Sequence, residues 1–297
     1  MNKHNDRAFR EMKGTLTIVL VMNWAVAAAK VTLGIATNSA SVLADGFHSF
    51  SDGASNVVGL VGLRFASKPK DPDHPYGHKK IENFTAIAIA MMLFLVCTEL
   101  LHSSINRLFN PVLPIVTPAG LTILVVTIFV NYIVMKYEHA RGKELKSDII
   151  IADSYHTKSD IYVSFVVIAG LIGSRMGIRF LDPAISCAVI FLIGRVGFDI
   201  LRHASRVLCD AAVINAEEII KATMKIDGVK GCHQIRTRGR EDDIMMDLHV
   251  GVDKSIRVDT AHEITVKIEQ VIKKTFPGVS EVIVHIEPLD GAFGKET

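Results

Sequence analysis

Long apolar segments alternate with short polar ones over the first two thirds of the chain. Six of them are near or above the roughly 20 residues that a helix needs to cross a bilayer. They cover residues 14–36, 39–66, 83–107, 114–136, 147–175 and 181–201. The pattern predicts six transmembrane helices. The second and fifth are the most polar, which is typical of helices that line a site and are shielded from lipid by their neighbours.

From about residue 211 the pattern becomes that of a soluble domain. Amphipathic helices are predicted over Asn215–Ile226 and Val258–Thr275. Segments that alternate like strands cover Lys230–Arg238, Ile244–Val252 and Glu281–Glu287. A turn is expected over 239–243, between the first two strands. The order helix, strand, strand, helix, strand predicts a small α+β domain of two layers.

Charge supports this division and gives the orientation. The chain is 49% hydrophobic, with a mean hydropathy of +0.32 that averages an apolar part and a charged tail. Lys and Arg concentrate in the N-terminal segment and in the second and fourth loops, so the positive-inside rule predicts cytoplasmic termini. We expect a cytoplasmic segment over 1–13, a membrane domain over 14–206 and a cytoplasmic domain over 207–297. Without a concentrated basic face, nucleic-acid binding is excluded.

Two membrane segments have nearly the same motif, Ala-Asp-x-x-His-x-x-x-Asp. Each places a His and an Asp one helical turn apart: His48 with Asp52, and His156 with Asp160. Ionisable groups at membrane depth are costly and usually mark an ion or proton path. Two imidazole nitrogens and two carboxylate oxygens form a tetrahedral set that suits zinc. A purely structural polar network is less favoured, because Ser, Thr or Asn would hold helices together at lower cost.

Three weaker candidates leave alternatives open. Asp45 and Asp153, one turn before each His, would either orient the imidazoles or solvate the mouth of the cavity. In the second loop, Asp71, His74 and His78 would form either a metal site or a solvated turn. In the tail, the candidate ligands are His233, His249, His262, His285 and Glu287. The residues alone favour ordinary surface or core roles for this last group. The four cysteines are scattered without a CxxC motif, which indicates neither disulfides nor a thiolate zinc site.

The chain resembles the cation diffusion facilitators, a family of six-span zinc, manganese and iron exporters, over nearly its whole length. The resemblance is carried by four segments: Leu43–Asp52, Lys68–Glu82, Ala152–Asp160 and Leu208–Asp210. It implies a polytopic α-helical membrane protein with six transmembrane helices plus a small α+β, ferredoxin-like cytoplasmic domain. It further implies a homodimer in the cell (inner) membrane that exchanges cytoplasmic divalent metal for external protons by alternating access.

The resemblance also implies roles for individual residues. The implied transport site consists of His48, Asp52, His156 and Asp160. The loop residues Asp71, His74 and His78 match a loop metal site, and Lys80 and Asp210 match a charge interlock between subunits. The implied binuclear cytoplasmic site contains His233, His249, His262 and His285, with Glu287 where zinc members often carry Asp.

The expected ion is Zn²⁺, because two His-Asp pairs resemble the zinc-selective branch. Fe²⁺ is the runner-up, since the stretch Ile235–Val252 looks like the magnetosome-associated members. Mn²⁺, Cd²⁺ and Co²⁺ remain open. Two other classes of protein are less favoured. An intramembrane metalloprotease would normally show HExxH, which is absent, and a non-transporting sensor or scaffold would not need two complete membrane motifs. We therefore expect a transporter and not an enzyme.

Overall fold

The computed structural model describes residues 3–36, 49–50, 53–109, 118–176 and 181–289. The chain divides into two compact units, Met1–Ser205 and Arg206–Thr297. Each unit has an apolar core of its own.

Within the described residues, all the regular elements of the first unit are helices. They are α1 (Lys3–Ala36), α2 (Ala54–Ala66), α3 (Ile81–Phe109), α4 (Pro118–Glu144), α5 (Asp148–Met176) and α6 (Leu181–Leu208). Helix α1 begins well inside the polar segment 1–13, and α4 and α6 run past their predicted ends at 136 and 201. Hydropathy marks the apolar part of a helix and not its polar ends. At the end of α4, the basic residues Arg141 and Lys143 stabilise the helix by interacting with its dipole.

Two of these helices contain long apolar stretches with very few charges. Within the described part of the chain these are Phe9–Thr32 and Ile81–His102, with mean hydropathies of 1.6 and 2.3. Helix α5 is less apolar because Asp153, Lys158 and Asp160 lie along it. The first part of the second predicted span lies outside the described residues.

The core of the first unit is made of apolar side chains from several helices. Its fully buried members include Leu16 of α1, Leu93 of α3, Ile149 of α5 and Ile193 of α6. Helices α2 and α3 approach so closely that a side chain at Gly62 would collide with the Thr85 hydroxyl. This packing holds α5, with its polar residues, inside the unit.

The second unit has two layers, as predicted. Its elements are α7 (Ala216–Thr223), β1 (Gly231–Arg240), β2 (Asp243–Asp253), α8 (Val258–Thr275) and β3 (Val279–Leu289). Strand β2 is central, antiparallel to β1 and parallel to β3. The predicted five-residue turn is wrong in length, because only Glu241 and Asp242 separate the strands. The left-handed φ of +106° at Gly239 lets β1 continue almost to that turn.

The two faces of the sheet differ sharply. Alternate β2 residues such as Met246, Leu248 and Val250 are buried in a cluster with Ile264 and Ile268 of α8. Since successive strand residues point to opposite faces, the intervening residues of β2 lie on the face away from this core. Among them, Met245, Asp247 and His249 are only partly buried.

Candidate metal centres

The first candidate is the His-Asp pair in the middle of α5. His156 is only 4% exposed, and Asp160 is partly buried. Ser159 donates a hydrogen bond from Oγ to the His156 carbonyl oxygen at 2.7 Å, within the same turn. The predicted partners, His48 and Asp52, lie outside the described residues, as does Asp45. The four-residue transport site therefore stays a prediction.

A buried polar network lies beside this pair. Glu138 of α4 and Asp153 of α5 are both fully buried. The Thr157 hydroxyl donates to Glu138 Oε2 at 2.9 Å. Asn56 of α2 donates from Nδ2 to Asp153 Oδ2. Asn23 of α1 donates to Asn56 Oδ1 at 3.0 Å. Polar side chains thus connect four helices.

The network decides between the two roles predicted for Asp153, and it adds Glu138 to the polar residues near the α5 pair. Asp153 does not solvate an open mouth, because it is buried and hydrogen-bonded to Asn56. Glu138 was missed by sequence reasoning. In the sequence it lies two residues beyond the predicted end of span four, at 136, where an acidic residue is ordinary. In the structure α4 continues to Glu144, and Glu138 is buried.

The second candidate is the loop between α2 and α3. One ligand atom each from Asp71, His74 and His78 lies within 4.8 Å of the other two. The backbone N–H of His74 donates to Asp71 Oδ1 at 2.7 Å, and its ring Nδ1 lies 3.1 Å from the same oxygen. His78 Nε2 lies 3.4 Å from Asp71 Oδ2. The structure therefore brings the three predicted loop residues together.

Hydrogen bonding orients the buried member of this loop cluster. His78 is 7% exposed, and its Nδ1 lies 3.2 Å from the carbonyl oxygen of Pro69. A carbonyl only accepts, so Nδ1 carries a proton, and Nε2, on the Asp71 side, is the ring nitrogen that could bind a metal. Partial desolvation of Asp71 is outweighed by its hydrogen bonds from His74, and the pKa of Asp71 is lowered. A cation between lone pair and carboxylate would satisfy both.

The third candidate is a row of histidines across the sheet of the second unit. His233 pairs in register with His249, and His249 with His285, so one histidine comes from each strand. Glu287 is two residues after His285 and shares its face. Its carboxylate lies 2.7 Å from His249 Nδ1, 3.2 Å from His233 Nε2 and 3.7 Å from His285 Nε2. Strand register thus assembles four of the five predicted tail residues.

Electrostatics favour a cation at this sheet cluster. The hydrogen bond from His249 lowers the pKa of Glu287, with further contributions from the charges of His233 and His285. Donation from His249 Nδ1 to the carboxylate leaves Nε2 as the ring nitrogen that could bind a metal. His233, His249 and Glu287 each offer a ligand atom within 4.8 Å of the others. The side chains are about a third exposed, so an ion can reach them from water.

His262 does not join the sheet cluster. It is exposed near the start of α8, a helix that packs against the opposite face of the sheet. The expectation that His262 belongs with the other tail histidines is not met within one chain. Sequence spacing could not show this, because it does not tell which sheet face a helix covers.

Comparison with known proteins identifies the family. Residues 16–209 match the model of the cation efflux transmembrane domain, and residues 213–289 match that of the cation efflux protein cytoplasmic domain. The chain belongs to the cation diffusion facilitator family. The protein is therefore a divalent cation efflux transporter and not an enzyme. As a cation diffusion facilitator it is a multi-pass membrane protein with a cytoplasmic C-terminal domain, as predicted.

Relatives cover nearly the whole chain. An uncharacterized transporter of Methanocaldococcus jannaschii is 30% identical over 283 residues, which are 95% of this chain and 100% of that protein. The manganese efflux system protein MneP of Bacillus subtilis is 29% identical over 281 residues, covering 91% of this chain and 94% of MneP. A solved MamM C-terminal domain in a cadmium form is 27% identical, covering 25% of this chain and 91% of that domain, with a TM-score of 0.24.

Proposed function

We propose that this cation diffusion facilitator exports Zn²⁺ from the cytoplasm in exchange for protons. The observation that carries the proposal is the His156–Asp160 pair, one turn apart on a polar helix of the membrane domain and buried at His156. A charged or metal-binding side chain at membrane depth is costly unless an ion path uses it. With His48 and Asp52 it would give two nitrogen and two oxygen ligands, which suit tetrahedral zinc.

Proton exchange follows from the chemistry of these ligands. An imidazole binds metal through a nitrogen that has lost its proton, and a carboxylate binds in its ionised form. Metal arriving from the cytoplasm therefore displaces protons, and external protons displace the metal once the site opens outward. Alternating access between these two states produces antiport.

The two clusters outside the membrane-spanning helices receive supporting roles in this proposal. Asp71, His74 and His78 bind a cation in the cytoplasmic loop. The tail binds metal through the sheet cluster, which consists of His233, His249, His285 and Glu287. The protein acts as a homodimer in the inner membrane, with both termini cytoplasmic. The distances within each cluster support metal binding, because they are short enough for one ion to replace the carboxylate–imidazole contacts.

Reconstitution into vesicles tests the proposal. The purified protein is placed in proteoliposomes with a pH-sensitive dye and a metal-sensitive dye, and a pH gradient is imposed. We expect Zn²⁺ and protons to move in opposite directions, with Zn²⁺ transported faster than Mn²⁺, Fe²⁺, Cd²⁺ or Co²⁺. Metal movement without proton movement would contradict the exchange mechanism.

Manganese is the second candidate ion. It is supported by the similarity to MneP, a manganese efflux system protein that is 29% identical to this chain. Carboxylates from Glu138 and Asp153, close to the α5 pair, also add the oxygen ligands that Mn²⁺ prefers. Iron(II) is the remaining alternative, from the resemblance of the stretch Ile235–Val252. The same metal panel separates them, because a higher kcat/KM for Mn²⁺ or Fe²⁺ than for Zn²⁺ would replace the zinc assignment.

A further inference from the structure

We propose that Glu138 and Asp153 form a second cation-binding position in the membrane domain, on the cytoplasmic side of His156 and Asp160. The transported ion would occupy it before it reaches those ligands. This inference rests on the proposed function, because it takes the α5 pair as part of the transport site. It adds a carboxylate from α4 to the ion path.

Topology places the pair on the cytoplasmic side. The second unit follows α6 and is cytoplasmic, so α6 runs toward the cytoplasm and α5 runs away from it. Asp153 precedes His156 by three residues, about 4.5 Å along the helix axis. Glu138 lies in the last two turns of α4, which runs toward the cytoplasm. An ion from the cytoplasm would therefore meet Glu138 and Asp153 first.

Burial and hydrogen bonding leave one oxygen of each carboxyl group for a ligand. Thr157 donates to Glu138 Oε2, and Asn56 donates to Asp153 Oδ2. The other two oxygens, Glu138 Oε1 and Asp153 Oδ1, are buried, the two carboxyl groups interact with each other, and Ser55 also interacts with Asp153. Unpaired buried anionic oxygens are strongly unfavourable. Either a proton shared by the two carboxyl groups or a bound cation is needed to compensate them.

The electrostatics of the pair require a positive partner. The two fully buried carboxyl groups interact directly, and Glu138 also interacts with the charge of Asp160. Two adjacent carboxylates in a dry environment cannot both stay ionised unless a proton or a cation lies with them. A divalent cation compensates both charges at once. It can then move on to Asp160, whose charge also interacts with Glu138.

The ligand chemistry fits a passing ion. Two carboxylate oxygens, with the Thr157 hydroxyl beside them, form an oxygen-only set. Oxygen-only sets bind Mn²⁺ relatively well and bind Zn²⁺ less tightly than a site with imidazoles. Zinc would therefore be captured by the pair and passed to the stronger ligands at His156.

The test compares Glu138→Gln with Glu144→Gln, an exposed acid six residues later on the same helix. Proteoliposome uptake of Zn²⁺ and Mn²⁺ is measured over a range of metal concentrations and at several pH values. We expect Glu138→Gln to lower kcat/KM about tenfold, which corresponds to roughly 1.4 kcal/mol. The loss should be larger for Mn²⁺ than for Zn²⁺, and Glu144→Gln should behave as wild type. Glu138→Asp, which keeps the carboxylate, should recover part of the loss.

Three results would overturn the inference. The first is a wild-type kcat/KM for both metals in Glu138→Gln. The second is an altered pH profile with an unchanged Mn²⁺/Zn²⁺ ratio, which would assign the pair to proton binding. The third is an equal loss for both metals with no recovery in Glu138→Asp, which would indicate a structural role. If Glu138→Gln does not fold, Asp153→Asn is judged by the same ratio.

A separate variant keeps the transport-site proposal distinguishable from this inference. Asp160→Asn removes a ligand of the α5 pair, and we expect it to abolish transport of both metals. Transport by Asp160→Asn would refute the proposed function. A normal Mn²⁺/Zn²⁺ ratio in Glu138→Gln would refute only the second cation-binding position.

Discussion

Two groups of polar residues use the same residue types in opposite environments. One is the α5 region, made of the α5 pair with Glu138 and Asp153, and the other is the sheet cluster. In the membrane domain His156 is 4% exposed, and Glu138 and Asp153 are fully buried. In the tail, the side chains of His233 and His249 are each 29% exposed, and that of Glu287 is 32% exposed. In the tail, imidazoles already surround the carboxylate. In the membrane domain, two buried carboxyl groups interact directly with each other.

This difference indicates two ways of handling a cation. Water lowers the cost of an empty tail site, so the sheet cluster can exist with or without metal. The α5 region has little water to compensate its charges, so either protons or metal must do so. A site that must exchange one for the other suits transport, whereas a site that tolerates both states suits sensing of the metal level.

The contrast between the buried and the exposed sites predicts that substitution of Asp160 causes the largest loss of transport. Asp160→Ala should lower zinc transport at least 100-fold, because a site with three ligands cannot close a tetrahedron around the ion and exclude water. Vesicle uptake measures the loss. Asp199→Asn, an exposed acid on α6, is the matched control and should transport normally. Wild-type uptake by a folded Asp160→Ala variant would remove α5 from the ion path.

The tail should lose metal binding without losing transport. In Glu287→Gln the neutral amide no longer compensates a cation between His233 and His249, so zinc affinity of the isolated 206–297 segment should fall about 10–100-fold. This segment has its own core and is expected to fold alone. Isothermal titration measures the affinity. Glu263→Gln on α8 is the control, because Glu263 is exposed and lies outside the sheet cluster.

Full-length Glu287→Gln provides the other half of this prediction. Its ranking of metals in vesicle uptake should stay that of wild type, because the ligands that choose the transported ion lie in the membrane domain. A changed ranking would mean that the tail takes part in selectivity.

The family resemblance implied the residues of the sheet cluster, whereas the sequence pattern alone favoured ordinary surface or core roles for them. Period-two alternation places His285 and Glu287 on one face of β3, and pairing of strands then brings His233 and His249 to them. In the membrane domain, the spacing of His156 and Asp160 was enough to suggest a shared helix face. The contact of Glu138 with Thr157 depends on how α4 packs against α5, and no periodicity within one helix contains that information.

Metal selectivity should respond to an exchange of nitrogen for oxygen at the predicted transport site. His48→Asp should reduce the preference for Zn²⁺ over Cd²⁺ about tenfold, equivalent to roughly 1.4 kcal/mol, while zinc transport survives. The measurement is the ratio of kcat/KM values across the metal panel. The matching exchange in the tail, His249→Asp, should leave that ratio unchanged. Equal ratios in wild type and His48→Asp would locate selectivity elsewhere, with the loop as the next candidate.

Acid should weaken the sheet cluster through its histidines and not through Glu287. The pKa of Glu287 is lowered, so its ionised form, and the stability that this form adds, persist at neutral pH. That contribution is fully present above the ordinary pKa of Glu and is lost as the pH falls through the lowered pKa. An imidazole nitrogen must lose its proton to bind metal, so zinc affinity of the isolated tail should fall several-fold between about pH 7.5 and 5.5. A constant affinity over this range would exclude His249 as a ligand.

The loop cluster should show the smallest effect, because Asp71 and His74 are well exposed and water competes for the ion. Asp71→Asn should raise the half-saturating zinc concentration about threefold, within the 1 kcal/mol or less that exposed charge pairs contribute. The maximal rate should not change, since the α5 pair is intact. Asp73→Asn is the control, as this exposed acid shares the loop but not the cluster. If Asp71→Asn lowers the maximal rate as strongly as Asp160→Ala does, the loop belongs to the transport path itself. The contrast between a costly buried site and tolerant exposed ones would then fail.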